Sequence, residues 1–123
     1  MVHHIGLLFL RLSFGLTMAI AHGLPKITKY STIKDNFPDP VGLGNSASLA
    51  LVIFAEFICS IMVVLGIKVK WASVPLIITM LVASFIIHAG DPWHKQEFAL
   101  LYFFGFTAIM LLGPGKFAIE FKK

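Results

Sequence analysis

"AEFICSIMVVLGIKVKWA", residues 55–72, starts beside a lone glutamate, runs through apolar residues, turns on Lys68 and Lys70, and re-enters apolar sequence at Trp71. A connection as short as 68–70 leaves two flanking helices no arrangement but antiparallel neighbours. Extended outward, the two runs cover 47–67 and 71–90, and similar runs occupy 4–24 and 95–113. Each is close to the roughly 20 residues that a helix needs to cross the hydrocarbon of a bilayer. The expected fold is therefore all-α: an up-and-down bundle of four transmembrane helices, forming a single domain over residues 1–123.

Composition supports the same class. The chain is 58% hydrophobic and 13% charged, with a mean hydropathy of +0.88, more apolar surface than a soluble fold of this size can bury. Its net charge is +4, but the lysines are scattered over short connections and the C-terminal tail instead of forming a basic stripe. They suit contact with anionic headgroups, and nucleic acid is not an expected partner. The single cysteine, Cys59, lies inside an apolar run. It excludes an intrachain disulfide and a cysteine metal cluster, and no metal site is expected. "AIA" at 19–21 imitates a signal-peptide cleavage site, but Arg11 interrupts the apolar segment and no lysine or arginine precedes it. The segment reads as a retained first span.

Pro25 and the pair Gly113–Pro114 close the first and fourth spans, and Pro75 is expected in the first turn of the third. Only the connection "KYSTIKDNFPDPVGLGNSAS", 29–48, is long, and its Pro, Gly and Asp content reads as a loop with an amphipathic portion on the membrane. One side carries Lys68, Lys70, Lys116, Lys122 and Lys123, the other Lys26, Lys29, Lys34 and Lys95. The balance favours both termini in the cytoplasm, in a cell inner membrane, with the long loop outside.

Charges within spans are costly and call for partners. Arg11 lies about 11 Å into the first span and Glu56 about 15 Å from the same side of the second. The expectation is a structural Arg11–Glu56 ion pair. Toward the outer side, His22 and His88 share a depth of about 26–27 Å. In "HAGDPWHKQE", 88–97, the residues His88, Asp91, His94 and Glu97 gather around a tight turn at "GDP". Glu97 opens the fourth span, where a helix N-terminus favours a carboxylate, and the inward face is expected to continue through Leu101, Gly105, Ala108 and Leu112. In the first span Arg11, Gly15, Met18 and His22 share one face. Trp71, Trp93, Tyr30 and Tyr102 read as interfacial anchors.

Three stretches, "RLSFGLTMAIAHGLPKI" (11–27), "AEFICSIMVVLGIKVKWA" (55–72) and "HAGDPWHKQEFALLYFFGFTAIMLLGPGKFAI" (88–119), resemble in order and spacing the DoxX family of small four-helix membrane proteins, over nearly the whole chain. The family is named from a subunit of a thiosulfate:quinone oxidoreductase, and other members are linked to membrane complexes handling thiols and oxidative stress. The resemblance implies a subunit of a redox-associated membrane complex. Arg11, His22, Lys26, Glu56 and Glu97 match its polar pattern, whereas Cys59 and the turn from Asp91 to His94 are individual to this chain.

The expected function is a subunit of a quinone-linked oxidoreductase complex with a polar ligand site near the outer interface. His22 and Glu97 would serve catalysis, and His22, Lys26, His88 and Glu97 would bind the ligand. A quinone is the expected cofactor, and b-type haem on His22 and His88 ranks well behind it. The chain has no flavin fingerprint and no cysteine pair, so electrons would come from a partner. Redox subunits, the bilayer and a further copy of the chain are the candidate partners. The alternative is a non-enzymatic scaffold or assembly factor whose polar layers only organise the bundle.

Overall fold

The computed structural model describes residues 1–120; Lys122 and Lys123, counted in the charge balance above, lie outside the described residues. Within these, helix α1 spans Val2–Thr28, the short α2 Tyr30–Ile33, α3 Asn45–Leu65, α4 Val69–Ile87 and α5 Trp93–Leu112. All but α2 are long and apolar enough to cross a membrane, and no strand occurs among the described residues. The four-span helical fold is as expected. Its helices differ from the expected spans chiefly in α1, which continues through Gly23 and Pro25. Pro75 lies a turn deeper than expected because α4 begins at Val69.

The 66–68 turn is built from left-handed residues. Gly66 (φ 77°) ends α3, Lys68 (φ 49°) starts α4, and the Ile67 amide donates back to the Met62 carbonyl at 2.9 Å. This is the hydrogen-bond pattern that closes a helix on a residue with positive φ. Buried side chains from all four spans, including Met18, Val63, Leu76, Phe106 and Ile109, form the shared core. Large apolar residues such as Phe9, Phe54, Phe85 and Leu111 remain exposed, as lipid-facing positions should.

The sequence pattern did not reveal two features that set the shape. Segments of α1, α3 and α4 wind as π-helix, at Met18–Gly23, Phe54–Cys59 and Ala83–Ile87. Such wide turns are rare and concentrate at functional sites. Near the termini α1 packs on α3 and α5, and α4 packs on the same two helices. Beyond the level where the π segment of α3 still packs on α4, the strong backbone contacts toward the loops are within two pairs, α1 with α3 and α4 with α5, so a wedge opens between the pairs.

The register of α1 against α3 corrects the expected Arg11–Glu56 pair. A Cβ on Gly23 would come 2.8 Å from the Glu56 carbonyl oxygen, so Gly23 and Glu56 share a layer. Arg11, twelve residues earlier, is about 18 Å away along the helix. There it donates to the carbonyls of Val63 (3.2 Å), Val64 (2.8 Å) and Phe117. Depth counting failed because the first turns of α1 overhang the end of α3. A C-terminal strap covers the overhang: Lys116 N–H donates to His4 Nδ1 at 2.9 Å, and Ile119 N–H donates to the Leu65 carbonyl at 3.1 Å. The Glu120 carboxylate accepts the Val69 amide of α4 at 2.8 Å. In α5 the buried face is Ala99, Tyr102, Gly105, Phe106 and Ile109. Leu101 and Leu112 are exposed, which rotates the expected stripe.

Candidate functional site

The wedge encloses a half-open cavity of about 560 Å³. All four spans line it, together with Phe37, Pro38, Pro40 and Val41 of the long loop. Its walls are mostly apolar, with polar groups concentrated at Lys26, His22 and Glu56 and a second set at His88 and Lys95.

Because α1 stays helical past Pro25, Lys26 reaches back into the bundle instead of snorkelling out. Its ammonium meets Glu56 Oε1 at 2.7 Å and donates to the His22 carbonyl at 3.2 Å. The Lys26 side chain is 24% exposed and that of Glu56 7%, so the pair borders the cavity without being sealed from it. A carboxylate buried in hydrocarbon is tolerable only with such a counter-ion. The absent side chain at Gly23 allows the backbones of α1 and α3 to come this close.

His22, on the face of α1 that also carries Arg11 and Met18, stands edge-on to the ring of Tyr102, with centroids 5.3 Å apart. Tyr102 also meets Phe14 edge-on at 6.1 Å and stacks on Phe106 at 6.3 Å. Its placement corrects the interfacial-anchor reading. It is 8% exposed and on the inner face of α5. The signal was its position a third of the way into the fourth span, away from the ends where anchors belong.

At the cavity mouth His88 Nδ1 and Asp91 Oδ2 are 2.7 Å apart. That hydrogen bond, with help from nearby Lys95, holds the Asp91 carboxyl below its ordinary value. The loop is fastened by Asp39, whose carboxylate accepts the Ser48 hydroxyl at 2.7 Å and the amides of Leu43 and Gly44 at 2.9 Å each. The Ser48 hydroxyl and the Gly44 amide do most to push its carboxyl below the usual range.

The expected site residues are thus divided. His22, Lys26 and His88 line one cavity, and Glu56 joins them. Glu97 does not: it is exposed and absent from the lining. Lys95 and Ala99 face the cavity, and a residue two positions from each lies on the opposite side of the helix. His94 is also exposed. Among the described residues no three metal-ligating side chains cluster.

A family model, DoxX, matches residues 6–89, more than half of the chain. The chain belongs to the DoxX family. The matched region carries Arg11 with its Val63 and Val64 carbonyls, the Lys26–Glu56 pair, His22 and His88, while Phe117 and the α5 wall with Tyr102 lie beyond it. No curated protein and no solved structure matches this DoxX chain.

Proposed function

We infer that the protein is a membrane subunit of a redox complex that holds a small amphipathic molecule of quinone type in the cavity between the splayed helix pairs. The observation carrying this reading is the Lys26–Glu56 pair beside His22 and Tyr102 at the border of a mostly apolar cavity. Pockets for small amphipathic ligands have this make-up, apolar walls with a few polar groups that fix orientation. The Lys26 ammonium keeps donor capacity beyond its bond to Glu56 and suits a head-group carbonyl. The Tyr102 hydroxyl, with no hydrogen bond among the described residues, suits a second. His22 supplies an imidazole, a group that can accept or donate a proton. Reduction of a quinone takes up two electrons and two protons. The protons pass through these side chains and the electrons come from a partner subunit.

The test is purification in native lipid, followed by mass spectrometry of bound small molecules and an absorption spectrum. A quinone recovered with the wild-type protein, reduced about tenfold by His22→Gln or Lys26→Gln and unchanged by Glu97→Gln, supports the reading. A haem Soret band, or equal quinone recovery in all three variants, overturns it.

A further inference from the structure

We propose that the seam between α1 and α5 is a lateral portal through which the apolar tail of the bound molecule runs from the cavity into the bilayer. This rests on the ligand reading above and adds the route and the tail class, an isoprenoid or long alkyl chain. A second hollow of about 360 Å³ lies on that seam, lined by Ser13, Phe14, Thr17, Phe98, Leu101 and Tyr102. Phe98 and Tyr102 also line the main cavity, so their rings form the partition between the two spaces.

The partition is made of side chains. Beside the hollow α1 still packs on α5 through residues up to Thr17, and from Met18 onward, toward the cavity, the strong backbone contacts of α1 are with α3 and those of α5 are with α4. The seam is closed by edge-on ring contacts of Tyr102 with Phe14 and His22. Phe98 is 60% exposed, and an exposed ring changes rotamer within nanoseconds and without unfolding. The hollow is mostly apolar where a tail would lie: the Ser13 hydroxyl turns back to the Phe9 carbonyl at 2.7 Å, and beside Thr17 the walls are Leu101 and the rings. A way out past the loop at 37–41 leads toward water, where a long tail would be hydrated. The seam delivers the tail to hydrocarbon, its favourable solvent.

The experiment compares binding of an isoprenoid-tailed benzoquinone and of the same benzoquinone without a tail. Thr17→Trp and Leu101→Trp, both filling the hollow, are set against Leu111→Trp, an exposed position outside it. The ratio of tailed to tail-less affinity should fall by about tenfold or more in either filled variant, equivalent to withdrawing about two methylene groups from apolar contact, and stay at the wild-type value in Leu111→Trp. Two filling variants guard against one failing to fold. A ratio unchanged in the filled variants overturns the portal while leaving the head-group site standing. Failure of the wild-type protein to bind either compound overturns the ligand reading and the portal with it.

Discussion

The Arg11 guanidinium hydrogen-bonds to carbonyls and to no carboxylate, and its Nε has no partner among the described residues. The last carbonyls of a helix have no partners within it and carry its negative end, and the guanidinium meets two of these at the end of α3 as well as one from the C-terminal strap. Glu56 has no such choice and needs a cation, which Lys26 supplies. Two double-mutant cycles measured by thermal unfolding in detergent distinguish these roles. Lys26→Met should cost up to about 3 kcal/mol, the low end for a broken buried pair because Lys26 is partly exposed, and adding Glu56→Gln should recover much of it. Arg11→Met should cost at least about 2 kcal/mol through orphaned carbonyls, with no recovery from Glu56→Gln. Coupling in the second cycle and none in the first would refute both assignments. The sequence announced that both charges need partners. It could not announce which, because partner choice depends on the overhang of α1 beyond α3, and hydropathy sees a helix's length but not its height relative to its neighbour.

At the scale of elements, the long loop is a strap held by one carboxylate. Asp39 gathers Ser48, Leu43 and Gly44 at the start of α3, and so positions Phe37 to Val41 over the cavity. Because its folded pKa is depressed, the stabilisation is complete above the unfolded value of about 3.9 and is lost as pH falls through the folded value. Relative to the intrinsic rate at each pH, hydrogen exchange at the Leu43 and Gly44 amides should therefore stay slow at neutral pH and accelerate only below about pH 4. Ser48→Ala removes the largest cause of the shift, so the acceleration should begin at higher pH; an onset unmoved by the substitution would remove Asp39 from this role. Pro, Gly and Asp marked this segment as a loop in the sequence, but not as a cover, since nothing local to 29–48 specifies what lies beneath it. The three π-helical segments were equally hidden. A π turn rotates the residues that follow relative to a regular helix, and a periodic reading of apolar residues assumes no such break.

Across the whole molecule the two ends do different work, the strap on Arg11 closing one and the cavity opening at the other. The four spans were legible because bilayer thickness sets the length of an apolar run. The splaying of the helix pairs was not, because it depends on which small residues allow backbones to touch and on which levels. The orientation of the bundle decides the side from which a redox partner reaches the cavity, and the lysine distribution favours the outside. Single cysteines at Lys34→Cys in the long loop and Lys116→Cys in the strap, in a Cys59→Ala background, test this directly. Cys59 is 2% exposed and packs in the core, so its loss should cost no more than a small repacking. A membrane-impermeant maleimide added to intact cells should label Lys34→Cys and reach Lys116→Cys only after permeabilisation. Labelling of both in intact cells would break the four-span topology, since the three spans between loop and strap place them on opposite sides. Labelling of Lys116→Cys alone would keep the bundle but turn the cavity to the cytoplasm, and any redox partner at the cavity mouth would then have to dock from that side.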